Sequence, residues 1–230
     1  MPFLIETHFH TSEVSTCAHV PAAEGIRRVK ARGYQAVVVT DHYTPEFFAA
    51  HGQMTQQQQI EQYLSGYQAA RAAGESVGLL VLPGMEIRFP ENYNDYLVYG
   101  FEPEFLFQYP DLWQHDLSSF AAFCRHHDLL IYQAHPFRRK MTVVVSDLLD
   151  GIEGVNGNPR HDSKNDIAIQ WAQRHNLPMI GGSDFHQAGD EGASGLLLRD
   201  EITDIHGLKQ QLKTGSYSIL LPASRQGSVL

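Results

Sequence analysis

The sequence predicts an α/β fold, arranged as a closed or nearly closed barrel in a single domain that spans residues 1–230. Two observations favour it: apolar runs of strand length alternate with helical patterns, and polar groups follow most of the strands. In such barrels the functional groups collect at the carboxyl ends of the strands. A chain of 230 residues of which 43% are apolar can bury a full core.

The predicted elements follow one another in a regular order. Short apolar runs predict strands at residues 3–8, 36–39, 79–82, 96–99, 129–132, 152–155, 179–180, 196–198 and 217–221. Periodic apolar residues predict helices near residues 22–32, 56–73, 117–127, 166–175 and 205–213. The first helix shows the signals clearly, because Pro21 suits its start and Gly33 ends it.

One pair of strands departs from the strand-then-helix order. Residues 87–89 are separated from the apolar run at 96–99 by only six residues. A parallel connection needs about a dozen residues or more, so this short link predicts an antiparallel hairpin. The hairpin would place Asp95, at the start of the returning strand, close to Glu86.

Two short motifs, one near each end of the chain, predict a metal site. His8 and His10 are separated by one residue, and so are Asp184 and His186. Along a strand, residues i and i+2 point to the same face, so both members of each pair can reach one ion. Imidazole and carboxylate groups suit divalent ions such as zinc, manganese or iron.

Further candidate ligands lie at or beside the ends of other strands, namely His42, Glu86, Asp95 and His135. Together with the two motifs they are too many for one ion. Cys17 and Cys124 are the only cysteines, so a thiolate-rich structural site is not indicated.

The composition argues against several classes of protein. The formal net charge of −9 disfavours nucleic acid as a stable partner, because a phosphate backbone attracts a basic surface. No apolar run is long enough to span a membrane, and the first residues lack the features of a secretory signal. Two cysteines provide no disulfide framework, which predicts a cytoplasmic protein.

Five motifs follow one another along nearly the whole chain: His8-x-His10, Thr40-Asp41-His42, Pro83-Gly84-x-Glu86, Ala134-His135-Pro136-Phe137-Arg138 and Gly182-Ser183-Asp184-x-His186. In this order they resemble the polymerase and histidinol phosphatase family, called the PHP domain. The resemblance implies a distorted seven-stranded (β/α) barrel, two or three divalent ions and hydrolysis of a small phosphorylated substrate. It leaves the oligomeric state open.

The resemblance also implies a set of ligands. A first ion would be held by His8, His10, Glu86 and Asp184. Glu86 would bridge to a second ion bound by His135, and His42 and His186 would hold a third.

Three positions depart from the family pattern. Asp95 stands where many members have a histidine, and it can still bind a metal. Glu13 is our choice for the acid that completes the third site, with Cys17 and His19 as alternatives. Glu6 stands where the family often has aspartate, and we expect it to orient the site rather than bind a metal.

The expected reaction uses a metal-bound hydroxide as the nucleophile, with Glu86, His135, Asp184 and His186 as the catalytic groups. Arg138, close after His135, either binds a phosphate oxygen pair or forms a structural salt bridge. Asn156, at the end of a strand, is a second candidate for substrate binding. The histidines that do not follow a strand, His161 among them, are predicted to be exposed helix or loop residues.

Two other functions are possible. Related barrels hydrolyse amide or cyclic C–N bonds, but they usually carry a lysine that bridges the metals, and no lysine follows a central strand here. A metal-stabilised regulatory module without catalysis would be favoured if ligands were missing, and nearly all are present.

Overall fold

The computed structural model describes residues 3–144 and 146–222. The strands are β1 (Phe3–Phe9), β2 (Ala36–Val39), β3 (His42–Tyr43), β4 (Leu80–Pro83), β5 (Met85–Arg88), β6 (Asp95–Tyr99), β7 (Leu130–Gln133), β8 (Gly151–Asn156), β9 (Met179–Gly182), β10 (Gly195–Leu198) and β11 (Tyr217–Leu220). The helices are α1 (Ala22–Ala31), α2 (Pro45–Ala50), α3 (Gln56–Val77), α4 (Glu104–Gln108), α5 (Leu117–His126), α6 (Asn165–His175) and α7 (Ile205–Thr214). Among these residues no helix is long and apolar enough to cross a bilayer.

The strands form two mixed sheets, one in the order β11-β10-β1-β2-β4 and the other in the order β3-β5-β6-β7-β8-β9. The α/β class is confirmed, but the predicted seven-stranded barrel is not, because the described strands close into no single sheet. The physical reason lies in the pairing. The edge strands, β11 and β4 in one sheet and β3 and β9 in the other, form no ladder with each other. Four pairs, β1–β10, β10–β11, β5–β6 and β6–β7, are also antiparallel, unlike the uniformly parallel strands of a (β/α) barrel.

The predicted hairpin is present. β5 and β6 pair antiparallel, with Glu86 opposite Leu97 and Arg88 opposite Asp95. The returning strand therefore brings Asp95 beside Arg88, the last residue of β5.

The two sheets pack against each other through their inner faces. One buried cluster combines Ile5 and Val38 of the first sheet with Leu97 and Tyr132 of the second. On the outer side of the first sheet, α1 and α3 pack over β2 and β4. Burial of these apolar faces is the main force that holds the sheets and helices together.

The sheets come closest where β1 lies beside β9. Phe9, the last residue of β1, and Phe185, which follows β9, form an isolated parallel bridge. A side chain on Gly182 would place its Cβ 2.5 Å from the Cβ of His8, so this close approach requires glycine. The fold thereby brings the two ends of the chain's motif series, residues 8–10 and 184–186, to one place.

Candidate metal centre

Seven side chains with metal-binding atoms converge at this place. They form three overlapping groups of three, and within each group the ligand atoms lie within 4.8 Å of one another. The groups are His8, His10 and Asp184; His8, Glu86 and His135; and His10, His42 and His186. Because His8 and His10 each belong to two groups, the seven residues make one connected cluster.

Glu86 lies at the middle of the cluster. Its Oε1 is 3.3 Å from Nε2 of His8 and 3.2 Å from Nε2 of His135. Its Oε2 is 3.4 Å from Nε2 of His10 and 2.8 Å from Nδ1 of His42. Each carboxylate oxygen thus faces two imidazoles, which is the arrangement needed for a carboxylate that bridges two ions.

Asp184 divides its two oxygens between the cluster and an arginine. Oδ1 lies 3.4 Å from Nε2 of His8, 3.5 Å from Nε2 of His10 and 3.3 Å from Nδ1 of His186. Oδ2 accepts a hydrogen bond of 2.7 Å from Nη2 of Arg138. One oxygen is therefore directed to the imidazoles, and the other is held by a guanidinium.

Alternation along β1 explains how His8 and His10 reach the same cluster. Phe9 lies between them and points to the opposite side, where its ring stacks on Phe185 at a centroid distance of 4.6 Å. His8 and His10 thus point to the same side of β1, as expected for residues i and i+2 of a strand.

Two residues of the cluster have unusual backbone conformations. His135 has a φ of 30° and Asp184 a φ of 52°, in the region that favours glycine. Such conformations cost about 1–3 kcal/mol each and persist only where the surroundings enforce them. They occur often at functional sites, and here each residue is the second one after the end of a strand, His135 after β7 and Asp184 after β9.

Glu153 is a buried carboxylate behind the cluster that the sequence analysis missed. Its Oε1 lies 2.9 Å from Nδ1 of His8. Its Oε2 accepts hydrogen bonds of 2.9 Å from the backbone N–H of His135 and from Nδ2 of Asn156. The contact between Oε1 of Glu153 and Nδ1 of His8 fixes the His8 ring so that its Nε2 points towards Glu86. The available signal was a charged residue inside the apolar run at 152–155.

Two further buried carboxylates hold the backbone around the ligands. Glu6 accepts hydrogen bonds from the backbone N–H groups of His8 and Ser183, at 2.8 and 2.9 Å. Asp41 accepts two from Thr11, both at 2.7 Å. Burial raises the pKa of Glu6 to about 7 and that of Asp41 to about 6, although these hydrogen bonds act in the opposite direction. Glu6 therefore orients the chain beside the ligands, as expected.

Among the described residues, four buried nitrogens of the cluster lack a partner in hydrogen-bonding geometry: Nε2 of His8, Nε2 of His10, Nδ1 of His42 and Nδ1 of His135. The first three face Glu86. Buried polar atoms are nearly always satisfied, and unpaired atoms that converge on one carboxylate fit a bound cation.

The protonation of the cluster follows from its charges. Burial alone would lower the pKa of His8, but the surrounding carboxylates, Glu153 first, raise it well above its ordinary value. Burial and the neighbouring His186 hold the pKa of His10 well below its ordinary value. Burial alone would raise the pKa of Glu86, but the imidazoles hold it well below its ordinary value. Protons on the imidazoles thus balance the negative charge of the carboxylates. A bound divalent ion would displace these protons.

The cluster opens into a cleft of about 270 Å³. Besides the ligands, the cleft is lined by several basic side chains, namely His19, Arg88, Arg138, Arg160 and His161. No lysine lines it in the described part of the chain. Basic groups around the mouth of a site suit an anionic substrate.

Arg138 forms the structural salt bridge, one of the two roles that the sequence left open. Its Nη2 donates to Oδ2 of Asp184 at 2.7 Å and to Oδ1 of Asn156 at 2.9 Å, so the structural salt bridge is present. The side chain also lines the cleft. Its Nη1 makes no hydrogen bond to the residues that the structure describes and remains available to a substrate.

Asn156 does not line the cleft. It is buried, and its Nδ2 donates to Glu153 at 2.9 Å and to Oδ2 of Asp184 at 3.2 Å. The structure therefore gives it a positioning role behind Asp184, instead of the predicted contact with substrate. Because Asn156 is the last residue of β8, its side chain lies beside Glu153 and Asp184 and hydrogen-bonds to both.

Asp95 reaches the cleft but belongs to none of the three ligand groups. Its two oxygens accept hydrogen bonds of 2.8 and 3.0 Å from Nε and Nη2 of Arg88. Burial and the nearby Glu86 raise its pKa, which agrees with the predicted proximity of the two carboxylates. The arginine occupies the oxygens that a metal would need, so the geometry does not favour Asp95 as a ligand.

Glu13 lies away from the cluster, contrary to our expectation for the third site. Both of its oxygens are 3.0 Å from the backbone N–H of Ala22, and it does not line the cleft. Helix α1 begins after Pro21, which provides no side-chain cap, so the carboxylate of Glu13 satisfies the first turn of this helix.

Cys17 lies where Glu13 was expected. Its Sγ is 3.2 Å from Nε2 of His42, and it lines the cleft together with His19. Burial raises the pKa of its thiol, but hydrogen bonds with His186 and His42 outweigh this effect and lower the pKa to about 6.

His161 and Arg160 are two further cleft residues for which the sequence predicted no role in the site. Both line the cleft, although a loop position predicted an exposed histidine. The loop is held against the site because Nδ2 of Asn158 donates to the backbone oxygen of Asp184 at 2.8 Å and Arg160 pairs with Asp190. No periodicity in this segment signals such contacts.

Comparison with known families supports the resemblance found in the sequence. The family model described as PHP-associated matches residues 162–216, which include Asp184 and His186. A crystal structure from Bacteroides vulgatus, of a two-domain protein containing a predicted PHP-like metal-dependent phosphoesterase, aligns with a TM-score of 0.68 at 19% identity. The resemblance to the PHP family is confirmed. The alignment covers 96% of this chain and 65% of that chain, so the present chain spans about two thirds of that PHP-like protein.

Two other solved structures share the fold. PsfC from Pseudomonas syringae aligns with a TM-score of 0.67 at 18% identity and covers 96% of this chain and 92% of its own. An amidohydrolase from Chromobacterium violaceum with bound sulfate aligns with a TM-score of 0.58 at 16% identity, over 97% of this chain and 99% of its own. At these identities the likeness shows a shared fold alone. No curated protein matches this chain.

Proposed function

We propose that the protein is a metal-dependent phosphoesterase that hydrolyses a small phosphate ester with the help of two or three divalent ions. The observation that carries the proposal is the position of Glu86, whose two oxygens each face two imidazoles. A carboxylate in this position can join two ions about 4 Å apart, the spacing found in two-metal hydrolases.

The donor set fits such ions. One ion would be held by His8, His10, Glu86 and Asp184, and a second by Glu86 and His135. Imidazole and carboxylate ligands suit zinc, manganese and iron, and the unpartnered nitrogens of His8, His10 and His42 support a cation between them.

A third ion would be held by His42 and His186. Cys17 takes the role first assigned to Glu13, because its Sγ lies beside His42 whereas Glu13 caps a helix. A thiolate at this position favours zinc over manganese, since soft sulfur ligands select softer ions.

The basic rim supports a phosphorylated substrate. The free Nη1 edge of Arg138 faces a cleft that Arg160 and His161 also line. A guanidinium beside the metals can bind phosphate oxygens through charge-assisted hydrogen bonds. Arg138 would thus hold the phosphate while its Nη2 keeps Asp184 in place.

The chain's own groups would perform the remaining steps. When bound, the ions supply Lewis-acid charge and lower the pKa of water. Glu153 holds the His8 ring in one orientation, and Arg138 would bind and orient the phosphate beside it. His186 or His135, where not committed to a metal, would donate a proton to the leaving oxygen.

We also propose that the chain works as a single cytoplasmic domain without a stable nucleic acid or membrane partner. The net charge of −9 supports this, and so do Cys17 and Cys124, which are free thiols.

Hydrolysis of a C–N bond is the second candidate function. It is favoured by the likeness to the amidohydrolase from Chromobacterium violaceum. It is disfavoured by the cleft, because none of its lining residues in the described ranges is the lysine that such barrels usually carry between their metals.

Assays of the purified protein separate these functions. With manganese or zinc added, we expect turnover of a generic aryl phosphate and none of a panel of amides and cyclic ureides. Absence of any phosphoesterase activity with metals loaded, together with amide hydrolysis, would overturn the proposal. Absence of both activities in a metal-loaded protein would favour a regulatory module.

A further inference from the structure

A second recess lies beside the metal centre and has not been assigned a role. It measures about 330 Å³, and its exposed lining is mainly apolar. The cleft of the metal cluster and the other recesses of similar size in the described residues are mainly polar. An apolar recess next to a polar reaction centre is the usual form of a pocket that selects a substrate.

The recess adjoins the metal cleft. Cys17, His42 and Arg88 line both. His42 lies at the boundary, and its Nδ1 is 2.8 Å from Oε2 of Glu86. The ester group of a phosphate held at the cluster would therefore lie beside the recess.

The apolar wall is formed by Val14, Phe47 and Ala50. Phe47 is held in place from two sides, with its ring 4.4 Å from that of His51 and 5.6 Å from that of Tyr63. A wall that is already ordered binds an apolar group without the cost of fixing a mobile side chain.

The size and charge of the recess limit what it can hold. A cavity of about 150 Å³ is enough to admit benzene, so this one accepts an aromatic ring with space for substituents. The carboxylate of Glu46 lines it, and the charge of Arg88 is already paired with Asp95. A second anionic group on the substrate would meet Glu46, so an uncharged group is preferred.

We propose that this recess binds the leaving group of the substrate, and that the enzyme prefers monophosphate esters of aromatic or similarly flat, uncharged alcohols. This inference rests on the proposed phosphoesterase function, because the phosphate must be held at the metal cluster.

Binding of two phosphonates to the metal-loaded protein tests the inference without requiring turnover. We expect calorimetry to show that benzylphosphonate binds at least about tenfold more tightly than methylphosphonate, the scale of burying one apolar group. Ala50→Trp should remove this preference, because Ala50 is exposed and lines the recess, so a large side chain fills it without disturbing the core. The matched control is Ala49→Trp, an exposed neighbour on α2 that does not line the recess, and it should keep the preference.

Hydrolysis of benzyl phosphate and ethyl phosphate provides the second readout, since both release a primary alcohol. Ala50→Trp should raise KM for benzyl phosphate about tenfold or more and leave ethyl phosphate unchanged. Equal binding of the two phosphonates by the wild type, or an equal effect of Ala50→Trp on both ligands, would overturn the inference. A recess-dependent preference in binding without hydrolysis of either ester would keep the recess as a binding site for an apolar group beside the phosphate, but it would overturn the phosphoesterase function and with it the role of that group as a leaving group.

Discussion

Nδ1 of His8 lies 2.9 Å from Oε1 of Glu153, and both side chains are fully buried. The contact turns Nε2 of His8 towards Glu86 and Asp184, and the other oxygen of Glu153 holds the backbone of His135. One carboxylate behind the cluster thus positions two of its imidazoles, as carboxylates behind metal-bound histidines commonly do.

Glu153→Gln should weaken metal binding. The amide keeps the size of the side chain but removes the charge that holds the His8 ring, and loss of such a partner costs roughly 10- to 100-fold in metal affinity or activity. Competition with a chelating dye measures the affinity, and Glu61→Gln, an exposed glutamate on α3, is the control. Unchanged metal affinity in Glu153→Gln would remove the residue from the site.

Glu86→Ala should lower hydrolysis by orders of magnitude and reduce the metal content by at least one ion per chain. Its two oxygens face four imidazoles, so its loss disrupts two sites together. Circular dichroism should show an intact fold, and Glu61→Ala should behave as the wild type. Near wild-type turnover in Glu86→Ala would exclude it from the centre.

Arg138→Lys should impair hydrolysis of a phosphomonoester by about tenfold or more, the scale of one charge-assisted hydrogen bond. Lysine keeps the positive charge, but it has a single ammonium nitrogen. It therefore cannot use one nitrogen for Asp184 and another for a phosphate, as arginine can. The loss appears in KM if the contact is equal in ground and transition states, and in kcat if it strengthens as charge develops. Steady-state kinetics measure both, with Arg125→Lys as an exposed control. Unchanged kinetics on the best phosphate ester would show that Arg138 forms the salt bridge with Asp184 but does not bind the substrate.

Cobalt substitution tests Cys17 as a ligand of the third ion. The Sγ atom lies 3.2 Å from Nε2 of His42, so a bound Co²⁺ should acquire a thiolate charge-transfer band in the near ultraviolet. Cys17→Ser should lose the band, while Cys124→Ser should keep it because Cys124 is buried in a separate apolar cluster. A wild type without the band would show that the thiol stays outside the metal's coordination.

The sequence predicted most of the centre because the ligands obey simple rules. His8 and His10 follow the alternation of a strand, and the short link before Asp95 specifies a hairpin. These rules do not predict which of several possible partners a side chain will bind. Asp95 was near the site as expected, yet Arg88 lies directly opposite it on β5 and takes both its oxygens.

Long-range packing explains the other differences. Glu13 was close in sequence to the ligands, but an uncapped helix start attracts its carboxylate. Glu153 and His161 come to the site through contacts between distant segments, which no local pattern reveals. The antiparallel pairing of β1 with β10 likewise joins strands that are far apart in the chain.

The metal content of the purified protein tests the central claim most directly. Seven side chains converge with their ligand atoms within 4.8 Å of one another in three overlapping groups. Elemental analysis of protein purified without a chelator should therefore find two or three transition-metal ions per chain. One equivalent or less, in protein supplied with zinc, manganese and iron during growth, would contradict a multinuclear centre built around Glu86.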